Sequence, residues 1–576
     1  MLTNLITAIV LTTAISAVIG RTTLKSNDYQ DENVPDRNVT VCFDLKANAF
    51  QVTFDTCGPD IVATANFTNR INSTGWSYLE VVSRSGYSNA QQAYAAGLAE
   101  ATATGPLIKQ TWQNLVEGYC DGEANAYCKR LGNYLRKNLE WMRHQVDLYA
   151  QNESYWAQVE VSLHQLAGLQ DAYYGAWLRR PHTQIAPLKL LLLQLKGELE
   201  DLEIAFGRPA KTGRLRTFGS GSCSAIVRPT EDDLWVAHDT WSTYGAMLRV
   251  QKLYNLALQP TDLAIDDSDL RSEIQRVPGN TVTMPSYPGT LVSIDDFYTV
   301  SSGLVVLETT IGNNNASLWR YIKPMDSVQT WIRTLVSNRL ATTAANWAKI
   351  FSKFNSGTYN NQWMIVDYKL YSPGKPLPPK GLFRILEQLP GYVESEDLTK
   401  VLASHGYWPS YNVAYFPRVF NMSGAPEQVE KYGNFFSYSD APRALMFKRN
   451  ATSVTDRASL TRLMRYNDFE HDPLAACNCT PPYSGENGIS ARCDLNPQNG
   501  TYPFSTLGFR CHGGIDFKAT NSKLFQNFQF IAQAGPTFDD LPPFRWSTSE
   551  CATQQKHQGH PDLFQFEAEM HEWSNL

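Results

Sequence analysis

The sequence predicts a mixed α/β or α+β fold, and three observations carry that prediction. Short β-like runs fill residues 21 to about 85, a helical block runs from Asn89 to about Phe206, and strand-like and helical segments alternate after Cys223. At 576 residues, 43% apolar and 12% aromatic, the chain has ample material for a large core and is unlike a disordered sequence. A net charge of only −6, with no long basic run, argues against nucleic acid as a partner.

In chain order, Met1 to Gly20 lacks charged side chains and holds an apolar stretch from Leu5 to Ile19, ending in small residues before Arg21. That pattern is a secretory signal peptide, residues 1–20, and is short for a membrane anchor. Within the helical block, Trp112 to Glu117, Leu131 to Tyr149, Trp156 to Trp177 and Pro187 to Phe206 carry helical patterning. The Leu-rich run Leu188–Leu193 is broken by Lys189, Gln194 and Lys196, so it reads as an amphipathic helix and not a span. Residues 207–222 are basic and contain glycine, as an exposed, protease-accessible linker would.

The Gly/Ser run Gly219 to Ser222 leads straight into an apolar strand from Cys223 to Val227. A turn at Pro229–Asp233 and a second run, Leu234 to His238, complete a hairpin. Beyond it the patterning predicts a helix over Thr243–Leu256, strand-like runs at Thr290–Tyr298 and Leu304–Thr310, helices over Ser327–Phe351 and Leu382–Glu387, and a strand at Trp363–Asp367. Further strands are expected near Arg443–Arg449 and Ile515–Lys518, and no internal repeat is present.

Secretion agrees with nine N-x-Ser/Thr sequons, at Asn38, Asn66, Asn72, Asn152, Asn315, Asn421, Asn450, Asn478 and Asn499. Ten cysteines fit the same oxidising compartment. With Cys223 set aside as a functional thiol, close pairs are Cys42 with Cys57, Cys120 with Cys128, and Cys493 with Cys511. A bridge between Cys477 and Cys479 would be strained, which leaves one of them to pair with Cys551 and one thiol over. No C-x-x-C pair marks a zinc site, and G-x-S-x-G, H-E-x-x-H, a P-loop and G-x-G-x-x-G are all absent. No cofactor is expected. His512-Gly513-Gly514 is only a faint match to a lipase oxyanion segment and reads as a turn.

Several longer stretches together resemble the phospholipase B-like family. They include Cys223-Ser224-Ala225, Ala237-His238-Asp239-Thr240-Trp241, Ser286-Tyr287-Pro288-Gly289-Thr290, Leu307-Glu308-Thr309-Thr310-Ile311-Gly312-Asn313, Phe354 to Trp363, Leu463 to Phe469 and His512 to Asp516, in order as far as about Phe564. The resemblance implies an α+β, four-layer α-β-β-α sandwich of the N-terminal-nucleophile hydrolase type, made as a precursor and cut just before the cysteine. Here that bond is Ser222–Cys223, giving fragments 21–222 and 223–576 that stay associated. The family reading places the protein in the lysosome or outside the cell, with a lipid or N-acyl small molecule as substrate, and leaves a homodimer open. The family name supplies an ester-hydrolysing phospholipase; an amidase on N-acyl lipids or peptides, and a lipid- or protein-binding glycoprotein without turnover, are its rivals.

By the same resemblance His238 and Trp241 flank Cys223, Thr310 orients the reacting group, Asn412 donates to the oxyanion, and Arg443 supplies positive charge. Unaided, these residues read as a strand-end histidine, a core tryptophan, a strand-end hydroxyl, a turn former and a surface charge. The chemistry is sound in outline. A freed α-amine has a reference pKa of about 7.7–8.0, so it can take the thiol proton of its own residue. Related cysteine enzymes that cut bile-salt or penicillin amides carry Arg and Asp where this chain has His238 and Trp241, so their substrates do not transfer.

Overall fold

The computed structural model describes residues 34–120, 125–175, 180–208, 222–261 and 276–574. The signal peptide and nearly all of the 207–222 linker lie outside them. The first segment supplies four strands: β1 (Arg37–Asp44), β2 (Ala49–Thr53), β3 (Ile61–Arg70) and β4 (Trp76–Ser83). The expected hairpin follows as β5 (Ser222–Pro229) and β6 (Leu234–Thr243). Then come β7 (Arg249–Asn255), β8 (Thr281–Ser286), β9 (Phe297–Val300), β10 (Leu304–Thr310), β11 (Asn361–Asp367), β12 (Phe383–Leu389) and β13 (Tyr392–Asp397). The last strands used below are β14 (Trp408–Ser410), β15 (His512–Gly514), β16 (Asp516–Thr520) and β17 (Ile531–Ala534).

These strands form two large sheets. An eleven-stranded sheet runs β13-β12-β11-β10-β9-β8-β7-β4-β3-β1-β2, and a seven-stranded sheet runs from β14 through β5, β6, β16 and β17 to a two-residue strand at Glu569–Met570, with β15 also on β6. Neighbours are antiparallel except β4 and β7, which pair in parallel from Trp76↔Arg249 to Val82↔Asn255. The two sheets face each other. Alternation along β10 sends Val305 and Leu307 between the sheets, beside Ala225, Val227 and Val236 of the hairpin, while Leu304 and Val306 point under the helices.

The outer face of the large sheet is covered by α1 (Asn89–Leu115), α2 (Ala126–Tyr149), α3 (Ser154–Tyr174), α4 (Lys196–Ala205), α5 (Thr330–Leu340) and α6 (Ala344–Phe351). Helices α1 and α3 touch backbone to backbone. A Cβ on Gly97 would collide with the Gln165 carbonyl, and one on Gly168 with that of Tyr94. The outer face of the smaller sheet, with Ile226, Trp235, Ala237 and Phe517, packs under α7 (Pro442–Asn450) and α8 (Arg457–Met464). Helix, sheet, sheet, helix is the four-layer sandwich expected.

The structure corrects several elements. Thr243–Leu256 is a short 3-10 turn followed by β7, not a helix. Arg249 and Lys252 imitate a helix's polar face in sequence, yet both are fully buried, Arg249 paired with Asp295 of the loop before β9 and Lys252 with Glu100 of α1. Leu382–Glu387 is β12 for the same reason, its Glu387 buried and bonded to backbone N–H groups of Tyr415 and Phe416. Arg443–Arg449 is helix α7, begun by Pro442 in its first turn. Ser327–Phe351 divides at residues 341–343, where Thr343 caps α6. Of Thr290–Tyr298, only the end enters a strand.

The bridges Cys42–Cys57 and Cys120–Cys128 form as predicted. Cys493–Cys511 does not. Cys511 pairs instead with Cys551, 40 residues on with Cα atoms 5.5 Å apart, and Cys493 stays a buried thiol against Trp241 and Ala491. Closeness in sequence misled because the chain between Cys493 and Cys511 does not turn the two side chains together. Cys477 and Cys479 bridge each other, so neither is left for Cys551. Among the described residues no helix is long and apolar enough to cross a membrane.

Candidate active site

The β5–β6 hairpin sets the site by register. Cys223 stands opposite Thr240, Ala225 opposite His238, and Ser222 opposite Trp241. Since paired residues share a face, Cys223, Thr240 and His238 look into the space between the sheets. Trp241 lies on the hairpin's other side, with Ala491 and Cys493. The Cys223 thiol is buried, and burial together with the nearby Glu308 carboxyl pushes its pKa well up, the backbone N–H of Trp241 opposing the rise.

Both backbone groups of Cys223 are held by side chains from distant segments. Its N–H donates to Asn412 Oδ1 at 3.0 Å. Arg443 Nη1 of α7 donates to its carbonyl at 2.6 Å and to Ser224 Oγ at 3.3 Å, while the guanidinium stacks 4.2 Å from the Trp241 ring centre. Asn412 itself has a left-handed backbone, φ 69°, which asparagine tolerates better than most residues. It is fixed by its own N–H to Thr309 Oγ1 at 3.4 Å and by Nδ2 to the Thr310 carbonyl at 2.8 Å. Thr310 thus takes part through its carbonyl. The Asn412 amide carries a second N–H beside the one given to Thr310.

His238 is fully buried, with Nε2 2.8 Å from the Glu308 carbonyl oxygen and Nδ1 3.4 Å from Thr240 Oγ1. A carbonyl only accepts, so the ring proton sits on Nε2 and Nδ1 is the acceptor. Thr240 in turn accepts from the Lys518 ammonium of β16. Burial, and Lys518 behind it, hold the imidazole pKa well below its usual range, so His238 is neutral.

Sequence reasoning missed the charge around this pocket. Lys518 pairs with Asp516 at 2.8 Å and Asp295 at 3.6 Å, and Arg249 pairs with the same two carboxylates. Two cations and two anions therefore balance in the interior. Lys196 of α4, in the segment before the linker, has its ammonium 4.0 Å from the Tyr287 ring centre, and burial lowers its pKa to about 7. Lys518 and Asp516, opposite charges two residues apart on one strand whose residues are all buried, are a signal that could have pointed here. Glu308 was written inside a motif already singled out, but its proximity to the thiol is a property of the folded sheet.

Cys223, His238 and Glu308 offer ligand-type atoms within 4.8 Å of one another, as do Glu486, Cys493 and His512. Neither group invites a cation. Lys518 stands beside the first, and Arg510 already donates to Glu486 at 2.6 Å in the second. The His512-Gly513-Gly514 segment is β15, a strand paired with Thr243–Trp241, and not a turn.

The family model for phospholipase B matches residues 63–571. The chain belongs to that family. It is 49% identical to phospholipase B-like 2 of Bos taurus over 516 residues, 88% of this chain and 85% of that one. It is 47% identical to phospholipase B-like 2 of Homo sapiens over 93% of this chain and 90% of that one. With phospholipase B-like 1 of Caenorhabditis elegans the identity is 41%, over 89% and 87%. Among solved structures, a penicillin V acylase from Agrobacterium tumefaciens is similar at 9% identity and a TM-score of 0.30, covering 54% of this chain and 82% of that one, too remote to bear on function.

Proposed function

We propose that this phospholipase B-like chain is a self-processing acyl hydrolase of the lysosomal or extracellular space, matured by cleavage of Ser222–Cys223, with Cys223 as nucleophile and glycerophospholipid acyl chains as substrate. One observation carries the reading: Asn412 and Arg443 clamp the backbone of Cys223 on both sides of its buried thiol. A residue gripped at nitrogen and carbonyl is suited to become a chain end without moving. Its sulfur attacks the Ser222 carbonyl, the acyl group passes from nitrogen to sulfur, and water frees the new carboxylate. The liberated amine then serves as base for the same thiol against an external acyl group.

The relatives' names support the lipid substrate. All nine sequon asparagines are at least partly exposed, and four disulfides suit an oxidising lumen. Asn315 is the least suited to a glycan, since its Nδ2 donates to the Met422 carbonyl at 3.0 Å.

N-terminal sequencing of every fragment, beside a Cys223→Ala chain, tests the cleavage. A fragment starting at Cys223 only in the wild type is the expected result; a chain left whole, or cut alike with and without the thiol, sinks it. Matured protein offered phosphatidylcholine and an N-acyl amide at acid pH then separates esterase from amidase, and silence on both with an unlabelled thiol turns the reading toward a binding protein.

A further inference from the structure

Self-cleavage poses a proton problem that the mature mechanism does not. While the chain is whole, the Cys223 nitrogen is an amide that donates to Asn412, so it has no lone pair to serve as base. Some other group must take the thiol proton. Among the described histidines and carboxyls, two come within 4.8 Å of the sulfur, His238 and Glu308. His238 is poorly placed for the task. Its Nε2 proton is committed to the Glu308 carbonyl, its Nδ1 faces Thr240, and the Lys518 ammonium beyond Thr240 opposes a positive ring.

Glu308 is different. It is fully buried on β10, with Oε1 3.0 Å from the Tyr359 hydroxyl, a group shared with the Ile294 carbonyl at 2.6 Å, and with Oε2 lacking a hydrogen-bond partner among the described residues. A buried carboxyl oxygen without a partner is costly and calls for an explanation. We propose that Glu308 accepts the Cys223 thiol proton in the self-cleaving step and returns it to the departing nitrogen, an assignment that rests on the cleavage reading above.

The step balances. The S–H proton passes to Glu308 Oε2, across a gap that a rotamer change or one water closes. Sulfur bonds to the Ser222 carbonyl carbon, the carbon–nitrogen bond to Cys223 breaks, and the nitrogen recovers the proton from Glu308 as an amine. Water then hydrolyses the thioester, restoring the thiol and leaving Ser222 as a carboxylate. Once the amine exists it can act as base itself.

The groups that face Glu308 make the role testable by pH. They are Asp296 and Asp295 from the loop before β9, Tyr359 before β11, Lys518 of β16, and Cys223 and His238 of the hairpin. Burial first and the Asp296 carboxyl second raise the Glu308 pKa, while Tyr359 and Lys518 lower it. Burial makes the ionised carboxylate a stronger base than an exposed one, and only that ionised form can take the thiol proton. The cleavage rate should therefore rise with pH through the titration of Glu308.

The experiment follows cutting of the full-length chain by intact mass across pH. Glu308→Gln is expected to cut about 10²–10⁴-fold more slowly, with Glu308→Asp partly restored. Tyr359→Phe removes a bond that favours the carboxylate and should move the rising limb to higher pH. Asp296→Asn removes a like charge and should move it to lower pH, each by about one unit. A purely structural role would not shift the limb in opposite directions. An E308Q chain that melts with the wild type and cuts within tenfold of its rate overturns the assignment. Limbs that stay put, or move together, overturn it too, and they decide the matter where E308Q fails to fold. A wild-type chain that stays whole at every pH removes the cleavage reading and this role with it, whereas normal cutting in E308Q removes only the role.

Discussion

Arg443 acts on Cys223 from the far side of the hairpin, and what it does there depends on its shape as much as its charge. It donates to the Cys223 carbonyl and to Ser224 Oγ while lying flat on Trp241. Burial lowers its pKa only to about 10, so the guanidinium keeps its charge at any working pH. Lysine, a point charge on a flexible stem, cannot keep both bonds and the stack. Arg443→Lys is therefore expected to slow the proposed self-cleavage about 10²-fold by letting the Cys223 backbone drift, with little change in melting temperature. A time course of cutting by intact mass checks it; wild-type speed in the variant would show that the clamp is not needed. The same residue shows what the sequence could tell. Chemical type and motif named Cys223, His238, Asn412 and Arg443, and the fold brings all four together. Which part of each residue faces the site was not legible: the Trp241 ring backs Arg443 while its backbone N–H meets the Cys223 thiol, and Thr310 contributes its carbonyl.

At the level of elements, the strands that sequence patterning recovered were the ones with uninterrupted apolar character. Leu304–Thr310 was read correctly to the residue as β10, and the hairpin likewise stood out. Strands β7 and β12 were lost because a strand buried on both faces has no polar alternation to reveal it, and because their charged residues are held by partners outside their own strand: Arg249 by Asp295 of a loop, Lys252 by Glu100 of α1 and Glu387 by the Gln362 amide. That network has a measurable weight. Lys518 faces Asp516, Asp295 and Thr240 with no solvent to replace it. Lys518→Met strands two carboxylates beside one remaining cation, Arg249, and should cost about 3–5 kcal/mol. Urea unfolding of the uncut Cys223→Ala chain, with and without the change, gives the number. A loss under about 1 kcal/mol would mean that the carboxyls simply take up protons, and the pocket's electrostatics would need redrawing.

Across the molecule, the cut proposed at Ser222–Cys223 falls between pieces that are not separate bodies. Residues 34–208 contribute β1 to β4, four of the eleven strands of the large sheet, and everything from β7 onward in that sheet comes after the cut. The seam between them is the parallel β4–β7 pair, seven residues long. On one side of it Lys252 of the later segment pairs with Glu100 of α1 at 2.7 Å, where Tyr254 also donates to Glu100 at 2.6 Å. Elsewhere Asn138 of α2 donates to the Pro324 and Ser327 carbonyls, and Asn114 of α1 bonds to the backbone of Gln558. Separating the pieces would expose a sheet edge inside the core and leave a buried lysine and glutamate unpaired. The matured protein is thus expected to elute from gel filtration under native conditions as one species containing both fragments, and to release them only in denaturant. Fragments that part in buffer alone would mean that the seam does not survive the cut. In that event Lys196, which belongs to the first piece, could not stand beside a nucleophile that begins the second.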